Sequence, residues 1–359
     1  MMLRRDRLQC VLQNMNRMGL RQLIVSDSGA LQYLLGEHLD AMERCGVLLI
    51  RSDGQVHAFM NQLFCFPEID GIQLHTYRDG QDVYAMIAGH LLSGEVGIDR
   101  SWPSGHLMAL LARRADIQAV SGSDAVDGAM ACKDQKEQEL LLAAGAVNDK
   151  AMAFGIENIR PDRTEQELAQ LIDDFFIVSG GTQVGQYQIA CYGANAAQPH
   201  HMPDSTRLRP GNAILLDLVC PIDGYWCDMT RTVFYKEVSA RHRKVYEVVR
   251  TAQQAGIDFV RPGVRMCDID RAVRSVIENA GYGDAYITRT GHGIGTHIHE
   301  PPQVSNDCTV IAQPGMVFSI EPGIYIPNDI GVRIEDLVLV TEKGCQVLTN
   351  YPKELQIVR

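Results

Sequence analysis

The spacing of apolar residues along the first 130 residues predicts a small α/β domain. Apolar side chains recur at helical spacing in three segments, residues 3–18, 83–92 and 105–114. Short apolar runs predict strands at residues 22–25 and 96–98, and a Ser-Asp-Gly turn joins two further strands, residues 46–50 and 56–59, into a hairpin. We therefore expect residues 1–130 to form one domain in which helices alternate with strands.

The remaining residues, 131–359, contain the same order of elements twice. A helix is predicted at residues 135–156, and a second helix begins at the capping box of Thr164 and Glu167. A strand at residues 186–191 and an acidic hairpin follow. Two more helices, further strands and a second acidic hairpin repeat this order, the helices at residues 239–259 and 268–280. We therefore predict an α+β domain with an internal pseudo-twofold duplication.

The first acidic hairpin carries Asp217 and Asp228. Their midpoint lies in the turn sequence Pro-Ile-Asp-Gly of residues 221–224, between its second and third residues. We therefore expect the two aspartates to be direct cross-strand partners, with Cβ atoms roughly 5 Å apart. Cys220 and Cys227 form a second expected cross-strand pair, because their midpoint lies only one residue away. Like charges as close as the two aspartates need a cation.

The second acidic hairpin carries Glu321 and Glu335, whose midpoint falls in a Pro-Asn-Asp turn, so these residues should also face each other. A Pro-Gly pair precedes both Asp217 and Glu321 by the same seven residues, at residues 210–211 and 314–315. This agreement supports the duplication. If the two halves pack face to face, all four carboxylates meet at a common centre.

Composition and charge exclude some kinds of partner. The chain has 359 residues, with 33 basic and 44 acidic side chains and a net charge of −11. A nucleic-acid partner would need a basic face, which this balance disfavours. No apolar run approaches the ~20 residues of a membrane span, and the N-terminal segment has no apolar region of signal-peptide type, so we expect a cytoplasmic protein. The ten cysteines lack metal-binding spacing and are interpreted as reduced thiols.

Four carboxylates at one point either take up protons or hold metal, because each unpaired buried charge costs several kcal/mol. The glycine-rich segment 290–302 favours metal, since it contains His292, His297 and His299. We expect His292 to lie on an edge strand with an exposed ring nitrogen. Four carboxylates and one imidazole describe a site for two divalent ions about 3.5 to 4 Å apart. Oxygen ligands favour Mn²⁺, and Co²⁺ or Zn²⁺ less clearly.

The ordered acidic and histidine residues resemble the five metal ligands of the Xaa-Pro peptidases, which belong to the methionine-aminopeptidase, prolidase and creatinase superfamily with the pita-bread fold. The resemblance lies in the motifs LLDLVCPIDGYWCDMTRT, GHGIGTHIHEPP, SIEPGIY and RIEDLV, which contain Asp217, Asp228, His292, Glu321 and Glu335. It covers residues from about 133 to the end. Residues 1–130 resemble, more weakly, the creatinase-type N-terminal domain of Xaa-Pro dipeptidases and aminopeptidases.

The resemblance implies a role for each ligand. Asp217 would bind one metal ion and His292 the other, Asp228 and Glu335 would bridge both ions, and Glu321 would be both ligand and proton acceptor. Three further residues would take part in catalysis. His299 would contact the substrate or its tetrahedral intermediate, His200 would orient the peptide at the scissile bond, and Arg333 would support the ligands.

The implied activity is metal-dependent hydrolysis of the first peptide bond in small peptides with proline in second position. Some prolidases carry an arginine where this chain has Gln303, so both a dipeptidase and an aminopeptidase acting on short peptides stay open. A C–N hydrolase of creatinase or ectoine-hydrolase type is an alternative, although creatinases lack the metal set. A non-catalytic binding protein is a further alternative, but such relatives would be expected to have lost ligands. The resemblance also implies a homodimer.

Several other polar residues are interpreted as structural. Thr230 is expected to support Asp228 by a hydrogen bond or to be an ordinary strand residue. Asp223 and Asp336 are assigned to turns or the surface, and His201 and His297 to structural roles, with a pocket-wall position open for His297. The histidines of the first domain are scattered in the sequence and are interpreted as surface or packing residues: His38, His57, His75, His90 and His106.

Overall fold

The computed structural model describes residues 1–182 and 188–359. The chain divides into two compact units, Met1–Met130 and Ala131–Arg359. The predicted strand at residues 186–191 begins outside the described residues, and its described part belongs to a strand at Ile189–Tyr192.

The first unit is a mixed six-stranded sheet with helices. Its helices are α1 Arg5–Met18, α2 Ser28–Leu35, α3 Val83–Ala88, α4 Ser104–Leu111 and α5 Ser123–Met130. Its strands are β1 Gln22–Val25, β2 Val47–Arg51, β3 Val56–Asn61, β4 Ile72–Tyr77, β5 Gly94–Ile98 and β6 Ile117–Ser121. The strand order is β4-β3-β2-β1-β5-β6. The β2–β3 hairpin and strand β1 confirm the sequence predictions, whereas α2, α5, β4 and β6 were not predicted.

The second unit contains two helix pairs. These helices are α6 Gln135–Glu157, α7 Glu165–Val178, α8 Ala240–Phe259 and α9 Met266–Asn279. Thr164 and Glu167 form the predicted capping box at the start of α7, and Ser239 caps the start of α8. A capping residue satisfies backbone N–H groups that have no partner within the helix, which explains why these helices begin at the predicted positions.

Three groups of paired strands complete the second unit. Its strands are β7 Ile189–Tyr192, β8 Ala213–Ile222, β9 Tyr225–Tyr235, β10 Gly291–Gly293, β11 Glu300–Val304, β12 Val317–Ile320, β13 Gly323–Ile326, β14 Ile330–Arg333, β15 Asp336–Val340, β16 Cys345–Val347 and β17 Ile357–Val358. The sheets have the orders β17-β9-β8-β7 and β11-β10-β12-β15-β16, and β13 pairs with β14.

The two halves of this unit make the same backbone contacts at equivalent positions. The Gly211 N–H donates to the Tyr235 carbonyl oxygen, and the Gly315 N–H donates to the Val340 carbonyl oxygen, both at 2.9 Å. Gly211 and Gly315 also share a positive φ, 84° and 90°. These matched contacts support the internal duplication that the repeated order of elements predicts.

Helix packing repeats in the same way. A Cβ atom added to Gly155 of α6 would lie 3.1 Å from Ile172 of α7, and one added to Gly256 of α8 would lie 2.6 Å from Val273 of α9. Both glycines therefore allow close approach between the helices of a pair. Each pair covers one face of its own sheet, and the two cores are built from alternate strand residues.

Candidate metal centre

Asp217 and Asp228 lie on the face of their hairpin that is not covered by helices, because side chains alternate between the two faces of a strand. On β8, Ile214, Leu216 and Leu218 pack in the core formed with α6 and α7. Asp217 has the opposite parity and therefore lies on the other face. The same argument holds on β9, where Cys227 and Met229 pack in the core and Asp228 does not. The apolar pattern therefore fixes the face on which both carboxylates lie.

The register of the first hairpin differs from the prediction. Asp217 pairs with Thr230 and Asp228 pairs with Val219, so the two aspartates are diagonal neighbours rather than direct partners. The cause is the turn, because Asp223 and Gly224 both have positive φ values of 49° and 80° and form a two-residue connection. The error is two residues, which is one strand period, so both carboxylates still share a face.

The expected pair of cysteines in this hairpin is confirmed. Cys220 and Cys227 are direct cross-strand partners, and both are buried. All ten cysteines carry free thiols, as expected from their spacing.

The register of the second hairpin agrees with the prediction. Gly323 pairs with Arg333 on one side, and Ile320 pairs with Asp336 on the other. Glu321 and Glu335 lie directly opposite each other in the gap between these two ladders. The turn is centred at Asn328, as the symmetric spacing predicts, and this residue has a φ of 60°.

His292 lies on β10 and points its Nε2 atom at the carboxylates. This atom is 3.2 Å from Glu321 Oε1 and 3.7 Å from Asp228 Oδ2. His292 Nδ1 lies 3.0 Å from the Gly293 carbonyl oxygen, which can only accept, so Nδ1 carries a proton. In the neutral ring Nε2 presents a lone pair, and in the protonated ring Nε2 donates to Glu321. The expectation of an exposed edge position is wrong, because β10 lies between β11 and β12 and His292 is buried.

The glycine before His292 allows its strand to approach β12. A Cβ atom at Gly291 would lie 1.9 Å from the Ser319 carbonyl oxygen. Ser319 in turn accepts from the His292 N–H at 3.0 Å and donates to Glu321 Oε1 at 3.0 Å. Close backbone contact therefore positions both the imidazole and one carboxylate, as expected from the glycine-rich motif.

The donor atoms of the cluster fit metal ions. One ligand atom each from Asp228, His292 and Glu335 lies within 4.8 Å of the others. Three carboxylate oxygens of the cluster are buried without a hydrogen-bond partner among the described residues: Asp217 Oδ1, Asp228 Oδ1 and Glu335 Oε1. Buried carboxylate oxygens are rarely left unpaired, and divalent cations are the partners that this donor set suits.

Electrostatics support the same interpretation. Burial raises the pKa of Asp228 well above its usual range, and the charges of Glu335, Asp217 and Glu321 raise it further. Burial and the charges of Glu321 and Asp217 likewise raise the pKa of Glu335. Without a cation the cluster therefore retains protons, because several negative charges cannot lie together in a region from which water is excluded.

Glu321 behaves differently from these two residues. Burial by itself would raise its pKa, but the hydrogen bond and charge of His292, together with the charge of Arg333, lower the pKa below its usual value. Glu321 is therefore ionised more readily than Asp228 or Glu335, as a proton acceptor should be.

Arg333 links three polar groups around the carboxylates. Its Nη2 atom donates to Asp217 Oδ2, its Nη1 atom donates to the Tyr325 hydroxyl at 2.7 Å, and its Nε atom donates to the Thr230 hydroxyl at 3.0 Å. Thr230 donates to Glu335 Oε2 at 2.6 Å. The expectation that Thr230 supports Asp228 is therefore wrong, because the two-residue change in register aligns Thr230 with Asp217 and leaves its hydroxyl near Glu335.

Asp336 is fully buried, so its assignment to a turn or the surface is wrong. It pairs with Arg231 at 2.7 Å and accepts hydrogen bonds from Gln253 and Thr349. Arg231 also donates to the backbone oxygens of Thr230 and Glu335. Sequence analysis missed Arg231, although its strand parity with the core residue Met229 was a signal for a buried charged pair. Asp223 is exposed in its turn, as expected.

The remaining predicted site residues lie near this cluster. The His299 ring is 4.2 Å from the His292 ring, edge to face. His299 reaches solvent, but partial burial of its ring and the charges of His292 and Arg289 lower its pKa to about 4. His200 is exposed and adds to the same lowering, so it lies within electrostatic range of His299.

The neighbouring histidines make contacts of a structural kind. His201 Nε2 lies 3.4 Å from Asp204 and 3.7 Å from the buried Glu165. The backbone N–H of His297 donates to Glu300 Oε1 at 3.0 Å, and Glu300 pairs with the buried Lys133 at 2.9 Å. These contacts hold the loops on which His200 and His299 lie.

Three of the first-unit histidines, although scattered in the sequence, lie together in the structure. His57, His75 and His90 each place one ring nitrogen within 4.8 Å of the other two. The pairing of β3 with β4 places His57 beside His75, and this pairing was not expected because β4 was not predicted.

Comparison with known proteins identifies the family. Residues 139–342 match the metallopeptidase family M24, and residues 7–132 match the creatinase/prolidase N-terminal domain. The chain therefore belongs to metallopeptidase family M24. Its fold is a creatinase-type N-terminal domain followed by a pita-bread catalytic domain, which confirms the predicted fold class.

Relatives and solved structures agree over nearly the whole chain. The chain is 33% identical over 366 residues to the Xaa-Pro dipeptidase of Lactobacillus helveticus, covering 98% of each protein. It is 32% identical over 350 residues to the probable dipeptidase PepE of Mycobacterium tuberculosis, covering 95% of this chain and 92% of that protein. The crystal structure of a prolidase from Thermococcus sibiricus matches with a TM-score of 0.92 at 30% identity, covering 99% of each chain. Among the described residues, no helix is both long enough and apolar enough to span a membrane.

Proposed function

We propose that this metallopeptidase uses two divalent metal ions to hydrolyse the N-terminal Xaa-Pro bond of dipeptides or short peptides. The observation that carries the proposal is the set of buried carboxylate oxygens on Asp217, Asp228 and Glu335 that have no hydrogen-bond partner among the described residues, with His292 close to Asp228 and Glu335. Relatives named Xaa-Pro dipeptidase and prolidase support the substrate class. They favour this activity over a creatinase-type C–N hydrolase, which would not need the carboxylate cluster.

The proposed metal ligands are Asp217, Asp228, His292, Glu321 and Glu335. When bound, the ions would supply Lewis acidity that polarises the peptide carbonyl and makes a water molecule acidic near neutral pH. The predominance of oxygen ligands supports Mn²⁺ as the native metal, ahead of Co²⁺ and Zn²⁺.

The protein side chains would move protons and orient the peptide. Glu321 would accept the proton of the attacking water on its carboxylate and pass it toward the leaving nitrogen. His299 is neutral above pH 4 and would donate one N–H to the developing oxyanion. His200 would orient the peptide at the scissile bond, and Arg333 would hold Asp217 and, through Thr230, Glu335 in position.

A panel of peptides tests the activity. The Mn²⁺-loaded enzyme should hydrolyse Ala-Pro and Met-Pro but not Ala-Ala, and the chelated enzyme should be inactive. Glu321→Gln should abolish hydrolysis while the circular dichroism spectrum is unchanged, and Glu342→Gln, an exposed glutamate of the same unit, is the matched control. Full activity after chelation would contradict the metal mechanism. Hydrolysis of small non-peptide amides in place of Ala-Pro would support the creatinase-type alternative.

Substitution of Gln303 tests whether the enzyme prefers dipeptides or longer peptides. This residue pairs with His292 across β10 and β11, and its side-chain oxygen is buried without a hydrogen-bond partner among the described residues. An amide at this position cannot form an ion pair with the C-terminal carboxylate of a dipeptide. Gln303→Arg should therefore raise kcat/KM for Ala-Pro relative to Ala-Pro-Ala, and Gln303→Met should not. An unchanged ratio in the arginine variant would show that length preference lies elsewhere.

The family resemblance also supports a homodimer. One chain has a mass of 39.8 kDa. Sedimentation velocity of the purified protein should therefore give a species of twice that mass, and a single species with the mass of one chain at micromolar concentration would contradict the dimer.

A further inference from the structure

Three histidines come together in the first unit, which contains none of the residues of the carboxylate cluster. His57 lies on β3, His75 on β4, and His90 follows α3. The ring centroids are 5.4 Å apart for His57 and His75, 5.0 Å for His57 and His90, and 4.3 Å for His75 and His90. One nitrogen from each ring lies within 4.8 Å of the others.

The sheet fixes two of these rings on one face. β3 and β4 run parallel, and His57 is aligned with Gln73. His75 is two residues further along β4, so its side chain points to the same face as that of Gln73 and lies beside His57. His57 Nδ1 and His75 Nε2 are 3.1 Å apart. Two nitrogens that bind one tetrahedral Zn²⁺ at about 2.0 to 2.1 Å lie only slightly further apart than this.

The hydrogen bonds around the rings leave nitrogen atoms available. His90 Nδ1 lies 2.9 Å from the Met86 carbonyl oxygen, which can only accept, so Nδ1 carries the proton and Nε2 presents a lone pair. His57 Nε2 is buried without a hydrogen-bond partner among the described residues, and His57 is only 4% exposed. An unpaired polar atom at such a buried position calls for an explanation.

Burial disfavours the protonated form of two of these rings. Burial and the proximity of His90 and His75 lower the pKa of His57 to about 4, and burial and His90 lower the pKa of His75. Neutral imidazoles are the form that binds metal.

One cation lies close to the cluster. Arg51 of β2 donates from Nη2 to the His90 carbonyl oxygen, and its charge also disfavours the protonated form of His57, whereas Asp53 favours it. A neighbouring guanidinium weakens the binding of ions held by charge alone, such as Mg²⁺ or Ca²⁺. Ions that bind through imidazole coordination are affected less, and these are Zn²⁺, Cu²⁺, Ni²⁺ and Co²⁺.

We propose that His57, His75 and His90 form a mononuclear site for a divalent transition metal ion, with Zn²⁺ or Cu²⁺ as the best fit, and that this site is distinct from the carboxylate cluster. Three imidazoles fill three positions of a tetrahedral ion. Water can reach the fourth position, since His75 and His90 are half-buried. A bound ion would connect β4 and the segment after α3 to the neighbouring strand β3.

Aromatic packing is the competing explanation for the cluster. Phe59 stacks on His75 with centroids 4.7 Å apart and also contacts His90. Aromatic packing, together with a hydrogen bond between His57 Nδ1 and His75 Nε2, would by itself bring these rings close together. The two explanations differ in one measurable respect, because only a metal site binds a stoichiometric ion through all three nitrogens.

Metal titration of the full-length protein tests the proposal. Asp228→Asn/Glu335→Gln provides a background with weakened binding at the carboxylate cluster. In this background we expect one equivalent of Zn²⁺ to bind, with affinity reduced about 100-fold or more by His75→Gln or His90→Gln, since each removes one of three ligands. His38→Gln is the matched control, because His38 is an exposed histidine of the same unit. No binding in the background, or equal binding in the His75 and His90 variants, would overturn the proposal.

Spectroscopy identifies the ligands independently. Cu²⁺ added at one equivalent should give an electron paramagnetic resonance spectrum with hyperfine splitting from three imidazole nitrogens, and His90→Gln should reduce this number to two. A spectrum with one nitrogen in wild type would assign the ion to the carboxylate cluster and contradict the three-histidine site. Circular dichroism of the metal-free variants checks that they fold, and His90→Gln alters a segment outside the strands, so it leaves the sheet pairing intact.

Discussion

At the scale of single residues, the carboxylate cluster depends on neighbours other than the five proposed metal ligands. Thr230 joins Glu335 to Arg333, and Arg333 joins Asp217 to the same network. Arg231, which pairs with the buried Asp336, donates to the backbone oxygen of Glu335. The carboxylates are therefore held by a second set of hydrogen bonds, which orient their oxygens and favour their ionised form.

Removal of the Thr230 hydroxyl should weaken metal binding. Thr230→Val keeps the shape of the side chain but deprives Glu335 Oε2 of a donor and Arg333 Nε of an acceptor. We expect the affinity for Mn²⁺ to fall by about 10 to 100-fold, the range measured for such supporting groups. Isothermal titration calorimetry measures this change directly.

Thr230→Ser is the control for this prediction, because it restores the hydroxyl while removing one methyl group. Affinity close to wild type in the serine variant would assign the effect to the hydrogen bonds. Equal weakening in the serine and valine variants would show that packing of the methyl group matters and would contradict the proposed role of the hydroxyl.

At the scale of elements, local turn chemistry decided which predictions succeeded. The spacing of Glu321 and Glu335 predicted their alignment because the turn between them is symmetric about Asn328. The Asp223-Gly224 turn is centred one residue later than expected, which moved the register of Asp217 and Asp228 by two residues. Side chains alternate between the two faces of a strand, so a shift of two residues leaves each side chain on its original face. The prediction that both carboxylates share one face therefore still holds.

Contacts between distant elements could not be predicted in this way. The histidine cluster of the first unit depends on the pairing of β3 with β4, two strands that run parallel and are joined by no short turn. Parallel strands carry no local register signal, because a turn does not connect their paired residues. The burial of Asp336 likewise depends on Gln253, which lies 83 residues away.

Close packing within the second helix pair gives a prediction about Gly256. Alanine normally stabilises a helix relative to glycine by up to ~1 kcal/mol. A Cβ atom at Gly256, however, would lie 2.6 Å from Val273 Cγ2 and 2.9 Å from Ile320 Cγ2, both in the core. We therefore expect Gly256→Ala to lower the free energy of unfolding by about 1–3 kcal/mol.

Chemical denaturation of the catalytic unit measures this loss. Gln254→Ala is the matched control, because Gln254 is an exposed residue of the same helix and its substitution should change stability by less than about 0.5 kcal/mol. Gly256→Ala as stable as wild type would mean that α8 and α9 separate readily, and would contradict the close approach described for this helix pair.

At the scale of the whole molecule, the catalytic unit combines two similar halves whose acidic hairpins meet. Neither half alone supplies all five proposed metal ligands, because Asp217 and Asp228 come from the first half and His292, Glu321 and Glu335 from the second. Bringing these charges together destabilises the fold unless protons or metal ions compensate. Metal binding and the stability of this unit should therefore be linked, since an ion that binds only the folded state stabilises it.

This linkage predicts a definite pH dependence in the chelated protein. The folded-state pKa values of Asp228 and Glu335 are raised above those of the unfolded chain, about 3.9 and 4.3. Groups of this kind contribute stability that is complete below the unfolded pKa and is lost as the pH rises through the folded pKa. Glu335→Gln removes one such group, so the metal-free variant should gain stability relative to metal-free wild type as the pH increases from about 5 to 8.

Calorimetric melting temperatures of the catalytic unit in chelator, with Glu342→Gln as an exposed control, measure this difference. Parallel curves of melting temperature against pH for wild type and Glu335→Gln would contradict this prediction. Mn²⁺ should raise the melting temperature of wild type more at pH 8 than at pH 5, because fewer protons compete for the carboxylates at pH 8.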